Sequence, residues 1–214
     1  MAELAMARPQ VVLLHGIWMR AGITARLAAR LGSAGFEVSS FDYPSIRAPF
    51  SAHHARLRTL IQALPRPVHL VGHSLGGVLA VDFLQRSPLP LADVARVVCL
   101  GSPLNGSALA RRLRQVRLDR LGMGHARDAL VEGLPPWTGP QALGVVSGEV
   151  AFGLSLLLGP LPRPNDGTVA VTETRLPGIT DHASVNAAHT ALLFSERAAA
   201  LTVKFLRDGD FGQG

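Results

Sequence analysis

The sequence has 214 residues, 48% of them hydrophobic and 17% charged, which gives one domain ample apolar material for a core and excludes a disordered or fibrous chain. The formal charge is +6, and Lys204 is the only Lys among 21 basic residues. These residues form no dense block and aromatics are 5%, so there is little for bases to stack on and a nucleic-acid binder is not expected.

In chain order, the N-terminal ten residues lack the basic start, long apolar stretch and cleavage site of a secretory leader. Residues 11–14 form a compact strand pattern that ends at His15-Gly16. A helix over 21–31 follows, with Leu27 and Leu31 four apart and Gly32 and Gly35 as stop signals. A strand over 36–43 closes at Pro44, and a helix over 52–64 ends at Pro65 and Pro67. Next come a strand over 68–71, a helix over 75–86 stopped by Pro88, and an almost wholly apolar strand over 94–100. A helix is predicted over 107–121, with Leu109, Leu113 and Val116 on one side and Arg111, Arg114 and Arg117 sharing another face.

The stretch 122–140 is rich in Gly and Pro and reads as an excursion, so a small cap-like insertion is expected within 105–140. A fifth strand is expected over 143–147. Residues 169–175 suit a short helix or a strand, since period alone does not decide. A weaker sixth strand over 179–186, a closing helix over 190–206 and a loose tail over 208–214 complete the chain. The most apolar segment, 142–158, carries Glu149 and several glycines and falls short of the ~20 residues that span a bilayer. Cys99 is the only cysteine, so no disulfide forms within the chain. A cytoplasmic protein is the expectation.

Alternating strands and helices predict an α/β fold: a mostly parallel central sheet of about six strands, with helices on both faces, in one domain over 1–214. In such a sheet, ligands bind beyond the carboxyl ends of the strands. The third strand runs into Gly72-His73-Ser74-Leu75-Gly76-Gly77, a G-x-S-x-G pattern between an apolar run and a helical one. A sharp turn there lifts the Ser74 hydroxyl above the sheet, and the small glycines leave room for the chain to double back.

Serine needs a positioned base, and the base an orienting acid. His189 lies between the sixth strand and the closing helix, and Asp166 shortly after the fifth strand. The order Ser74, Asp166, His189 is that of a nucleophile-elbow hydrolase. Asp181 and His182 compete for the acid and base roles, but His182 falls inside the sixth strand. His73 reads as a neighbour of the elbow, and His69 as a filler of core or crevice. His53, His54 and His125 read as solvated. A tetrahedral intermediate needs two N–H donors, expected from Leu75 and from Ile17 in the His15-Gly16-Ile17 loop.

Together these residues resemble the α/β-hydrolase superfamily, and within it the bacterial lipase/esterase branch. Leu14-His15-Gly16, the elbow, Asn165-Asp166-Gly167-Thr168-Val169 and His189-Thr190 carry the likeness over nearly the whole chain. The resemblance implies a serine esterase acting on a small-molecule or lipid ester, with Ser74 as nucleophile, Asp166 as acid, His189 as base, and Ile17 and Leu75 as the oxyanion hole. An acyltransferase or thioesterase on the same triad, or a non-catalytic binding protein on the same scaffold, are the alternatives.

No dinucleotide or P-loop fingerprint and no metal-ligand spacing occurs, so no cofactor and no metal are expected. Arg111, Arg112, Arg114, Arg117 and Arg120 form a candidate face for weak contact with anionic lipid, against the plainer reading of a solvated helix. Leu104, Trp137, Leu156 and Leu161 are candidates for the substrate pocket or for the core. The sequence leaves the oligomeric state open.

Overall fold

A computed structural model describes residues 8–87, 89–90 and 92–212. Most of the N-terminal stretch read for a leader, the Pro88 stop signal and the last two residues of the tail lie outside this set.

The strands are β1 (Gln10–Leu14), β2 (Glu37–Phe41), β3 (Val68–His73), β4 (Val94–Leu100), β5 (Ala142–Gly148) and β6 (Asp181–Val185). They pair in parallel in the order β2-β1-β3-β4-β5-β6. The helices are α1 (Ala25–Ser33), α2 (Phe50–Ala63), α3 (Leu75–Arg86), α4 (Ala108–Gln115) and α5 (Asp119–Met123). They continue with α6 (Arg127–Glu132), α7 (Ser155–Leu158), α8 (Val171–Thr174) and α9 (Glu196–Asp208).

Successive strand residues point to opposite faces, so a strand covered on both sides must be apolar throughout. In β1, Val12 and Leu14 join a core with α2 and α3, while Val11 and Leu13 join a second core with α1 and α9. All five residues of β1 are buried, whereas the edge strands β2 and β6 carry exposed positions. Residues Leu75 to Leu84 of α3 are buried all round, as befits a helix enclosed between the sheet and other helices. β1 leads to β2 on one side and is flanked by β3 on the other. The carboxyl ends of β1 and β3 therefore border the switch point where such sheets open a crevice.

Four expectations change. The helix expected over 107–121 is two helices, broken where Arg117 takes φ +58, and Val116 faces solvent instead of the core. Its basic face is partly neutralised, because Arg111 and Arg114 lie 3.6 and 3.7 Å from Glu173 and Glu132. His53 and His54 are buried, not solvated: His53 packs edge-on against Tyr43, and His54 lies 3.1 Å from Asp82. The closing helix begins as a 3-10 turn over Thr190–Phe194, and Ser195 then caps α9 by accepting from Ala198 N. The tail is not loose at Phe211, which is buried and stacks on Phe205.

Residues 169–175 resolve as the short helix α8. Among the described residues, no helix is long and apolar enough to cross a membrane.

Candidate active site

The elbow after β3 is built by exclusion of side chains. Ser74 takes φ +53, a conformation L-residues seldom adopt, and leads directly into α3. A Cβ at Gly72 would run into the backbone of Gly76 and Gly77, and one at Gly76 into the carbonyls of Leu14 and His15. Only glycine lets the strand, the turn and the β1 loop pack this closely. Leu75, as the first helical residue, has a main-chain N–H without an intrahelical acceptor.

The loop after β1 is braced from below. His15 is fully buried, stacks on Tyr43 at 4.4 Å and directs Nδ1 at the Gly16 carbonyl at 2.9 Å. The Tyr43 hydroxyl donates to the His15 carbonyl at 2.7 Å. Burial holds the His15 pKa below its usual value. A Cβ placed on Gly16 would lie 3.3 Å from the Ser74 Cβ, so this loop passes in contact with the serine.

Asp166 and His189 are joined twice. His189 N donates to the Asp166 carbonyl at 2.9 Å, and His189 Nδ1 pairs with Asp166 Oδ2 at 2.7 Å. The other carboxylate oxygen accepts from Thr168 N and Val169 N at 2.9 and 2.7 Å. A carboxylate so held cannot rotate without losing two main-chain bonds. Gly101, after β4, leaves the space: its Cβ would stand 3.1 Å from Asp166 Oδ2 and 3.2 Å from His189 Nδ1. Among the described residues, the only side-chain hydrogen bond of His189 is the one to Asp166, and no direct bond links it to the Ser74 hydroxyl. The ring and the hydroxyl line the same pocket.

That pocket has a volume of about 560 Å³. Ile17, Trp18 and Met19 form one wall, and Phe152, Leu154 and Leu157 another. Leu75 contributes no lining side chain, since its own is fully buried. Of the candidate lining residues, Leu104 and Trp137 belong to the core, Leu161 is buried away from the pocket, and Leu156 faces solvent. The wall actually present, 152–157, lies within the segment whose apolar character stood out in the sequence, but nothing in its periodicity separates a pocket wall from a core strand.

The competing acid and base lie elsewhere. Asp181 accepts from His182 N and Phe211 N at 2.7 and 2.8 Å. His182 meets Thr174 Oγ1 at 2.9 Å, and burial pushes its pKa down to about 4. His73 is completely buried beneath His189, and burial pushes it down to about 3.

A family model described as "Alpha/beta hydrolase family" matches residues 11–206. A pimeloyl-[acyl-carrier protein] methyl ester esterase of Methylococcus capsulatus is 34% identical over 100 residues, spanning 44% of this chain and 38% of that one. The chain thus matches well under half the length of this curated relative. Among solved structures, the mature Bacillus licheniformis lipase BlEst2 aligns with TM-score 0.72 at 21% identity, over 96% of this chain and 94% of that one. A metagenomic carboxyl esterase aligns with TM-score 0.72 at 18% identity, over 88% and 66% of the two chains. The type II thioesterase BorB aligns with TM-score 0.63 at 19% identity, over 94% and 92%. With its parallel sheet, its elbow and a family match running from β1 into α9, the chain belongs to the α/β hydrolase family.

Proposed function

We propose that the chain is a serine hydrolase that cleaves carboxylic esters through an acyl-enzyme. The observation that carries this is the Asp166–His189 pair, 2.7 Å apart and opening onto the apolar pocket that also holds Ser74. The pocket's volume and apolar walls suit a small ester with one hydrophobic half. The esterase name of the relative that matches over 100 residues agrees with this reading.

In the proposed reaction, the Ser74 oxygen attacks the ester carbonyl as its proton passes to His189 Nε2. Asp166 keeps the other imidazole proton on Nδ1 and stabilises the imidazolium. The main-chain N–H groups of Leu75 and Ile17 receive the oxyanion. His189 returns the proton to the departing alcohol, and the acyl group stays on Ser74. Water then repeats the sequence and releases the acid.

We take the chain as one hydrolase domain with a small cap-like insertion within 105–140. Transfer of the acyl group to an added alcohol instead of water would make it an acyltransferase, and product analysis separates the two.

The test is a p-nitrophenyl ester series combined with a fluorophosphonate probe. Wild-type protein labels at Ser74, and Ser74→Ala loses both label and turnover, by about 10⁴-fold or more. Wild-type turnover in Ser74→Ala would remove the serine from the mechanism. Failure of the folded wild type to label would favour a binding protein on a hydrolase scaffold.

A further inference from the structure

Beside the pocket, a surface cavity of about 600 Å³ is lined by Arg47, Arg120, Arg127 and His125. These side chains come from two segments far apart in sequence, and the backbone fixes them together. His125 N donates to the Ile46 carbonyl at 3.1 Å. Gly124, at φ +51, lies so close under the same carbonyl that any Cβ would collide with it. Arg47 N donates to the Pro44 carbonyl at 3.1 Å, closing a tight turn. The seam therefore brings Arg47 to the same cavity as Arg120 and Arg127.

The cavity is short of negative charge. Asp128 is the one carboxylate on its wall, 3.3 Å from Arg127, and Arg47 and Arg120 make no ion pair among the described residues. Three guanidinium groups facing one carboxylate leave a positive field in a concave surface, where field lines concentrate.

Trp18 joins this cavity to the pocket that holds Ser74. Its side chain lines that pocket. Its main-chain N–H donates to Ser45 Oγ at 3.0 Å, and its indole Nε1 donates to the Gly122 carbonyl at 2.7 Å. Ser45 is two residues from Arg47, and Gly122 two from Arg120. Trp18 thus ties both arginine-bearing segments to the edge of the pocket, one through its main-chain N–H and the other through its indole.

We propose that Arg47, Arg120, Arg127 and His125 form a subsite for a phosphate group on the polar half of the substrate. The planar guanidinium fork matches phosphate oxygens bidentately, and the backbone seam gathers these side chains at one concave surface. Its place in catalysis rests on the ester-cleavage reading, but phosphate binding itself does not.

The test therefore measures binding without turnover. Ser74→Ala protein, with and without the double substitution Arg47→Ala/Arg120→Ala, is titrated with inorganic phosphate and with coenzyme A. Both proteins are also co-sedimented with phosphatidylglycerol and with phosphatidylcholine vesicles. Matching thermal midpoints show that both proteins fold. The arginine-depleted protein is expected to bind at least one phosphate probe about tenfold more weakly, with an affinity that falls as salt rises.

A loss confined to coenzyme A identifies a soluble phosphate ester, and a loss confined to phosphatidylglycerol a lipid headgroup; each supports the subsite. Equal binding by both proteins, or no binding of any probe by the parent, overturns it. In the active enzyme, the same double substitution lowers the ratio of kcat/KM for an acyl-coenzyme A to that for a neutral ester of the same chain. If no ester is cleaved, the hydrolase reading fails while the titrations still decide the subsite.

Discussion

The main-chain carbonyl of His189 rests on the ring of His73, whose Nε2 lies 3.1 Å from it, with the two imidazoles 4.9 Å apart. A carbonyl can only accept, so the His73 proton sits on Nε2 and its Nδ1 is left buried without a partner. Complete burial, reinforced by the neighbouring His189, pushes its pKa down to about 3. His73 is therefore a neutral prop that places no second cation beneath the proposed base.

The sign of the pH effect follows. Burial pushes His53, His69 and His182 down to about 4, as it pushes His73 to about 3. From the ordinary value of 6.5 downward, the unfolded chain binds protons that the folded chain refuses, so stability falls with pH until these folded values are reached. The thermal midpoint should decline steadily from pH 6.5 towards pH 4. Ring resonances of His73 should hold their neutral positions at pH 5. A midpoint flat over that range, or a His73 titration near 6.5, would contradict the buried neutral assignment.

Gly76→Ala tests the seam between β1 and the elbow. The new methyl would meet the carbonyls of Leu14 and His15, which are backbone and cannot swing aside. Overpacking against backbone should cost about 3 kcal/mol. For a chain of this length that is a drop of roughly 10 °C in Tm. Gly22→Ala is the control, because nothing lies within 4 Å of its added carbon. Equal midpoints for the two variants would mean that the elbow glycines are not sterically required.

What the sequence made legible was whatever local pattern controls. β4 and α3 begin and end where predicted, because an apolar run is followed by glycine in one and a helical stripe ends near proline in the other. The pairing of Asp166 with His189 was readable from their places after the late strands, and the structure brings the two within 2.7 Å; their acid and base roles belong to the proposed reaction.

Long-range packing was not legible. His53 gave no sign of lying against Tyr43, a partner ten residues away across a loop. The helical spacing of Leu109, Leu113 and Val116 extends the predicted helix through Arg117, where the backbone in fact turns to φ +58. The pocket wall at Phe152, Leu154 and Leu157 was not singled out, because its exposure depends on how the loop is tied down, not on its composition.

That loop is tied at both ends. Ser155 N donates to the Gly167 carbonyl at 2.8 Å, beside Asp166. Arg112, on α4, donates from Nη1 to the Leu158 carbonyl at 3.2 Å and from Nη2 to the Pro160 carbonyl at 2.5 Å. Arg112→Ala removes the second anchor and lets the wall formed by Leu154 and Leu157 relax. Hydrogen bonds from a charged donor are worth about 1.5–3 kcal/mol, so kcat/KM for an octanoyl ester should fall roughly tenfold relative to an acetyl ester. Chymotrypsin should also cut faster within 152–158, a readout that needs no turnover. Loss of activity in equal proportion on both esters, with unchanged proteolysis, would show that Arg112 does not shape the pocket.

Asp166→Asn separates charge from geometry at the acid. Oδ1 accepts from two main-chain N–H groups, Thr168 and Val169, so an asparagine must keep its carbonyl oxygen there. Its NH₂ then faces His189 Nδ1, at the position Oδ2 now occupies. Two donors cannot share that contact, so the imidazole proton moves to Nε2, the nitrogen proposed to receive the serine proton. The isosteric variant should keep the fold and lose about 10⁴-fold in kcat. The loss should shrink as pH rises if hydroxide replaces the missing base. Asp181→Asn is the comparison: its carboxylate accepts from the amides of His182 and Phe211, away from Ser74, so turnover should stay within a few-fold of wild type. If Asp181→Asn is the variant that loses activity and Asp166→Asn is not, the acid has been assigned to the wrong residue.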